Sequence, residues 1–469
     1  MTDYGFWSII PPVLAIVLAI TTRQVTFSLL VGLLVGALIM EGGNLLGAFL
    51  LTLDGLIDVF QSAGSTRTVV FTLLIGALIS LIRAAGGVQG FIALIQQRLA
   101  KAKRPESTLQ VAAGLTGFLI FIESNISILT VGTAFRPLFD QFKIAREKLA
   151  YLADSSSAPS CILFPINAWG AYVMGLLASY EHLDPFKTLL YSIPYNLYPI
   201  LTLILVFYLA STGKAFGPMK DMKPRPIETT STSEAPEGNW LNMLIPLLVM
   251  IVTMPVYLIH TGWPDEFQGS LGEKLWYSIG NGSGSAAVLY AVTTAVIFAG
   301  VYFGFQKKIG LKSFFDHSIK GMNEMLIMAL LMVLAFAIGN LCNALGTGQY
   351  VADVTSQWLN PGIAPALIFL TSCFVAFATG TSWGTFAIMI SIGVPLAQAV
   401  GINPYLTIAA VLGGGVFGDH CSPISDTTLI SSMASGTDHI DHVRTQLPYA
   451  LATGTLTTLL YLAMGFFVR

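Results

Sequence analysis

Charge is what this sequence most lacks. Its 469 residues hold 23 lysines and arginines and 25 aspartates and glutamates, 10% of the chain, where a soluble globular domain carries roughly 25%. A net charge of −2 leaves no basic surface for a phosphate backbone, which excludes nucleic acid as a partner. Cysteine is scarce as well. Cys161, Cys342, Cys373 and Cys421 lie apart in apolar segments with no CxxC pair, so no disulfide framework or zinc site is expected and they read as small core residues. No basic leader precedes the first apolar run, which is expected to be retained, and neither end carries a lipidation motif. Apolar residues, by contrast, make up 54% of the chain, with a mean hydropathy of +0.73. That balance excludes a soluble enzyme and a disordered chain. The expectation is an all-α polytopic membrane protein.

Apolar blocks of spanning length fall near 8–22, 24–40 and 68–85. A stretch at 109–138 is interrupted by Glu123-Ser124-Asn125, and a block at 148–179 by Asp154 to Pro159; a span near 188–212 follows. Residues 214–239, rich in Lys, Pro, Ser, Thr and Glu, form a linker. The order then recurs: spans near 241–260, 285–306 and 322–345, an interrupted stretch at 363–398, a broken block at 405–433 and a last span at 447–467. Landmarks align at a nearly constant shift. Ile82 to Gln89 matches Cys342 to Gln349 at 260, Arg136-Pro137-Leu138 matches Val394-Pro395-Leu396 at 258, and Phe164-Pro165-Ile166 matches Ser422-Pro423-Ile424 at 258. Ile193-Pro194-Tyr195 matches Leu447-Pro448-Tyr449 at 254.

Charge placement decides the orientation of the two copies. The loop after the second span is acidic first (Glu41, Asp54, Asp58) and basic in the second copy (Lys307, Lys308, Lys312, Lys320). The loop after the third span reverses this, with Arg98, Lys101, Lys103 and Arg104 against Asp353 alone. Lys143, Arg146 and Lys148 face an uncharged counterpart at 400–404. Corresponding loops swap sides, so the expectation is two inverted repeats, 1–213 and 240–469, joined by a cytoplasmic linker at 214–239. Each repeat then has five transmembrane helices and one re-entrant hairpin, with discontinuous helices. The alternative, two full spans in place of each hairpin, gives six crossings and a parallel repeat and conflicts with the charge swap.

Paired interruptions in an inverted repeat place a transport site near the midplane, because lipid tolerates irregular backbone only where it is buried or lines a cavity. The first tip offers Glu123, Ser124 and Asn125, the second Thr379, Thr381 and Ser382. The first break offers Asp154, Ser155 and Ser156; the second, entered through Gly413-Gly414-Gly415, offers Asp419, Ser422, Ser425 and Asp426. The three glycines read as helix-loosening. Four intramembrane acids without matched bases favour a cation pathway, since each costs several kcal/mol unless protonated, paired or cation-bound. Asp154, Asp419 and Asp426 are the expected Na+ sites, exchanging Na+ for H+ at a shared carboxylate, with no cofactor and no catalytic residue. The plainer alternative makes the aspartates helix caps and lets Glu123 hold its tip. His420 beside Asp419 and Cys421 is not a metal triad, because neighbours on one helix diverge. Trp383 reads as a tip anchor, and Asp438 to Arg444 as a solvated cap before the last span, with histidines that titrate near neutrality.

Gly418-Asp419-His420-Cys421-Ser422-Pro423-Ile424-Ser425-Asp426-Thr427-Thr428, then Ser431 to Gly436 and Asp438 to Val443, resembles the signature of the NhaC-type Na+/H+ antiporter family. Thr379 to Thr385 is similar to that family's second hairpin tip, and Arg136-Pro137-Leu138, Arg146 to Tyr151 and Asp154 to Pro159 to its first half. The resemblance implies re-entrant hairpins, an elevator-type movement and a homodimer in the lipid membrane. It also implies that the solute varies among relatives, so a Na+-coupled symporter or exchanger of a small amino acid or organic acid stands as the alternative function.

Overall fold

Long apolar runs punctuated by small polar clusters fold here into helices ended by side-chain caps. The structure, a computed structural model, describes residues 4–22, 24–99, 105–121, 123–165, 167–180, 183–224, 238–267, 269–347, 350, 354 and 360–467. Expectations placed on Lys101, Lys103, Arg104, Ile166, Gly348, Gln349, Asp353 and residues 225–237 of the linker lie outside them. The described residues are helical throughout, with no strand. In chain order the first half holds α1 (Ile10–Thr22), α2 (Val25–Met40), α3 (Leu45–Gln61), α4 (Ala63–Ala84), α5 (Gly87–Leu99), α6 (Pro105–Leu119), α7 (Ser124–Gln141), α8 (Arg146–Leu163), α9 (Ala168–Leu177), α10 (Pro185–Ser192) and α11 (Leu197–Thr212). The second half holds α12 (Leu241–Thr261), α13 (Leu271–Asn281), α14 (Gly284–Phe305), α15 (Leu311–Glu324), α16 (Leu326–Ala344), α17 (Ala364–Thr379), α18 (Ser382–Val400), α19 (Pro404–Cys421), α20 (Asp426–Ser435) and α21 (His439–Phe467).

Among the described residues, seven helices are long and apolar enough to cross a bilayer: α4, α11 with the turn after it, α12, α14, α16, α18 and α21. An eighth span arises if α8 and α9, bent by 44° at their junction, are counted together. Shorter apolar helices cover the expected spans near 8–22 and 24–40 and the first arm of the stretch at 363–398. Two neighbourhoods draw on both halves of the chain. α4 packs on α14, α15 and α16, and α12 on α14 and α5; elsewhere α7 and α8 pack on α20, α6 and α11 on α8, and α17 and α18 on α19.

Two expected features are corrected. The first break is not at Asp154 to Pro159: α8 runs without interruption from Arg146 to Leu163, with Phe164 as its C-cap, and α9 starts after its cap Asn167. The serine hydroxyls are absorbed by the helix itself, Ser156 donating to the Leu152 carbonyl (2.6 Å), Ser157 to Ala153 (2.6 Å) and Ser160 to Ser156 (2.7 Å). A polar run therefore needs no break. Nor do Gly413 to Gly415 loosen α19, which is helical from Pro404 to Cys421. These glycines admit neighbours. A Cβ on Gly414 would stand 2.5 Å from the Phe369 carbonyl oxygen of α17, and one on Gly418 would fall on Phe377 N and Ala376, the close approach that small residues give membrane helices. Gly418→Val is accordingly expected to destabilise the fold by about 3 kcal/mol through overpacking, lowering the melting temperature in detergent. Gly55→Ala, at a position with open space, should leave it unchanged.

Candidate functional site

Broken helices bring polar backbone and side chains together at two junctions. At the first, Asn167 caps α9 by accepting from Gly170 N (2.9 Å), while its amide donates to the Phe121 carbonyl at the α6–α7 tip and to the Cys161 carbonyl, each at 2.7 Å. At the second, Ser425 caps α20 by accepting from Thr427 N (3.2 Å), and Ser422 donates to the Phe377 carbonyl of α17 (2.7 Å). Gly380, left-handed at φ +70°, ends α17; a Cβ there would press on the Ile424 carbonyl. Each tip is thus seated against a helix break.

Three aspartates occupy this region, Asp154 and Asp419 buried and Asp426 exposed at the start of α20. Asp419 accepts from Ser425 (2.5 Å) and from Ser382 at the second tip. Asp426, in the first turn of α20, accepts from Asn125 at the first tip (3.3 Å). Asp154, in the middle of α8, accepts from the Gln446 amide (2.9 Å), and its Oδ2 lies 3.3 Å from His442 Nε2. The same Gln446 amide donates to the His420 carbonyl, joining α8 to the end of α19. No lysine or arginine pairs with any of the three among the described residues.

Several sequence expectations are resolved by this arrangement. Asp154 caps nothing, since it lies inside a helix, and the caps at the breaks are Asn167 and Ser425. Ser382 and Ser425 converge on Asp419 and Asn125 reaches Asp426, while Gln446 ties Asp154 to the His420 carbonyl next to Asp419. Ser155 lies on the same helix beside Asp154, buried, its hydroxyl without a hydrogen-bond partner. Ser156 and Thr379 are buried but spend their hydroxyls on their own helices, Thr379 on the Val375 carbonyl (2.8 Å). Thr381 precedes α18 without capping it by its side chain. Glu123, buried and accepting from Ser124 (3.4 Å), lines a cavity of about 30 Å³ with Arg83, Val88 and Met243, on the side toward α4, α5 and α12. Trp383 stacks on Tyr172 and Trp169 (centroids 4.9 and 5.5 Å apart), a packed anchor.

The expected solvated cap from Asp438 to Arg444 is only half so. Asp438 accepts from Ile440 N (2.9 Å) and Asp441 N (3.1 Å), as a cap does, but His442 is fully buried against Asp154 and Ser431. The sequence reading missed it, with Gln446, because polar residues just before an apolar span read as its solvated end. The spacing was available: 442 and 446 stand one helical turn apart on the face toward α8. His420 turns away from the aspartates. Its Nδ1 faces the Val416 carbonyl (3.0 Å) and so carries the hydrogen, leaving Nε2 to accept from Tyr198 (3.1 Å).

No three His, Cys, Asp or Glu side chains among the described residues converge to hold one metal ion, so the aspartates are not a common cage. The donor set instead fits a hard cation bound to one carboxylate and neutral oxygens. Asp154 Oδ1, Ser155 Oγ, Asn125 Oδ1 and Gln446 Oε1 are buried oxygens without a hydrogen-bond partner, and three of the four can only accept or ligate.

The chain is 32% identical to an uncharacterized protein of Haemophilus influenzae over 98% of its own length and 91% of the other. It is 31% identical to the malate-2H+/Na+-lactate antiporter of Bacillus subtilis over 25% of this chain and 28% of that one, and 30% identical to the Na+/H+ antiporter NhaC of Alkalihalophilus pseudofirmus over 24% and 28%. Its fold is similar to the Neisseria gonorrhoeae MtrF efflux pump (TM-score 0.61, 14% identity, 92% and 86% of the two chains) and the Alcanivorax borkumensis YdaH transporter (0.59, 14%, 88% and 87%). The pattern of the Na+/H+ antiporter family matches residues 161–466. The protein, a transporter and not an enzyme, belongs to the Na+/H+ antiporter family.

Proposed function

We propose that the protein is a Na+-coupled secondary transporter of Na+/H+ antiporter type, with Na+ and H+ competing for Asp154, Asp419 and Asp426. One observation carries the reading: Asp154 (0% exposed) and Asp419 (2%) are buried with no lysine or arginine beside them among the described residues, and Asp426, exposed at the start of α20, accepts from the Asn125 amide. A carboxylate so placed costs several kcal/mol unless a proton or a metal ion neutralises it. The two neutralising cations exclude each other, so release of one permits the other to bind. Both tips and the second break supply neutral groups, Asn125, Ser382 and Ser425, which ties occupancy of the site to the position of the hairpins.

The remaining organisation is proposed with it. α8 and α19 each run 18 residues, α9 and α20 each 10, and each second copy begins 258 residues after the first. α18 likewise begins 258 residues after α7. That recurrence supports two inverted repeats, 1–213 and 240–469, around the linker at 214–239. Re-entrant hairpins, elevator-type movement, a homodimer and a bacterial inner-membrane location follow from the same reading. The repeats are not equivalent at the site: Cys161 stands where Asp419 stands and Ala168 where Asp426 stands, so the carboxylates of the breaks are weighted to the second copy.

A specific observation favours a second reading, symport or exchange of a small amino or organic acid. Trp169 Nε1, in the first turn of α9, is a buried donor without a partner, suited to a solute carboxylate. Proteoliposomes under an imposed Na+ gradient test both readings, with internal pH and solute uptake followed in parallel. Proton movement that depends on Na+ and needs no added solute is expected. Current that appears only with an added amino or organic acid would replace the antiporter with the second reading.

A further inference from the structure

The two sides of the aspartate group differ in chemistry. Toward α16 it is closed by aromatic rings: Trp383 on Trp169 and Tyr172, and Tyr172 on Phe336 of α16 (centroids 6.2 Å apart). Toward the start of α8 the interior is polar. α8, α20 and α21 pack on one another there, and Tyr151 OH, Ser155 Oγ, Ser435 Oγ and His442 Nδ1 are all buried without hydrogen-bond partners. Their residues are at most 2% exposed. One such group costs about 1–3 kcal/mol, and native interiors keep few of them; four along one interface need an explanation.

Their order along the helices supplies it. Glu147, Tyr151, Asp154 and Ser155 share one face of α8, and Asp154 lies about 10 Å along the helix from Glu147 at 1.5 Å per residue. α20 runs antiparallel beside them. Its far end is tied to the start of α8 by Arg146 Nη1 donating to the Gly436 carbonyl (3.1 Å) and Thr437 donating to Glu147 (2.7 Å). Deeper in, Ser431 Oγ lies 2.8 Å from His442 Nε2, which reaches Asp154. The unpartnered atoms thus mark a continuous seam from the α8 start to Asp154.

We propose that this seam, between α8, α20 and α21, is the hydrated access path to Asp154 from the membrane face that carries Lys143 and Lys148. Water and a small cation supply the partners that the protein omits. The aromatic side admits neither. Only the identity of the ion that uses the path rests on the Na+ reading above; the course of the path does not.

Cysteine accessibility in the full chain, reconstituted in vesicles, tests it. Ser435→Cys and Tyr151→Cys are treated with a membrane-impermeant quaternary-ammonium thiol reagent from either side; Met433→Cys, on the outward face of α20 at 64% exposure, and the unsubstituted chain with its four buried cysteines are the controls. Labelling of both introduced thiols from one side only, roughly tenfold faster than the Met433→Cys control, is expected, since thiol reactivity needs water and a thiolate. Rates no faster than the control from both sides, in vesicles that still carry Na+ flux, would overturn the path while leaving the transport reading standing. Labelling without any Na+ flux would sustain the path and sink the Na+ reading. Should the cysteine variants fail to fold, the near-isosteric double variant Tyr151→Phe/Ser435→Ala is expected to slow flux roughly fivefold with an unchanged Na+ half-saturation; an unchanged rate would overturn the proposal.

Discussion

Asp154→Asn should reduce Na+-dependent transport at least about a hundredfold, equivalent to about 2.7 kcal/mol, while leaving the protein folded. The substitution keeps the shape of the side chain. Its amide oxygen can replace Oδ2 as acceptor for Gln446 Nε2, which stands at 2.9 Å. Its nitrogen would then take the place of Oδ1, the buried oxygen without a partner, and turn two N–H bonds toward the position where a cation would bind. The loss comes from charge and from donor direction, not from packing. Asp426→Asn should behave alike, because Asn125 faces it at 3.3 Å with nothing cationic nearby. The measurement is initial Na+-driven flux in proteoliposomes beside a melting curve in detergent. Full Na+ dependence in both variants would remove these aspartates from the site.

Arg146→Ala is expected to cost about 3–5 kcal/mol of stability, among the largest effects of any single substitution in this chain. Arg146 is 2% exposed and grips Asp140 with two parallel bonds, Nε at 2.8 Å and Nη2 at 2.9 Å. Its third bond, to the Gly436 carbonyl, crosses from the first half of the chain to the second. Removing the guanidinium leaves Asp140 buried as an uncompensated charge, which is the costly part. A variant that removes both charges, Arg146→Met with Asp140→Leu, should therefore lose less than half as much. Equal melting-temperature losses for the single and double variants would show that the Gly436 contact, not the stranded carboxylate, dominates.

The two networks divide the labour along α8. Its charged end ties α7, α20 and α21 into one body, Lys148 adding a bond to the Gly213 carbonyl at the end of α11 (2.9 Å). Its middle holds Asp154, with polar groups that the protein itself does not saturate. Rigid support around an incompletely paired site is what selective ion binding requires, since the ligands must not collapse on one another when the ion leaves.

Residue types and their order were enough to place the chain in a membrane and to propose Asp154, Asp419 and Asp426 as the acids that the flux measurements test, because bilayer thickness and the cost of charge in lipid act on composition directly. They also located both tips, where polar triplets interrupt apolar runs. They misplaced the first break, since a serine hydroxyl that bonds the carbonyl one turn back is indistinguishable in a string of letters from one that ends a helix. They misread Gly413 to Gly415 for a similar reason: a glycine that loosens a helix and one that admits a neighbouring helix are the same letter, and only Phe369 pressed against Gly414 separates them. What tertiary structure alone decided was partnership. Asn125 meets Asp426 across 301 positions and Gln446 meets Asp154 across 292, and contacts at such separations are set by how helices dock rather than by any local preference of the chain.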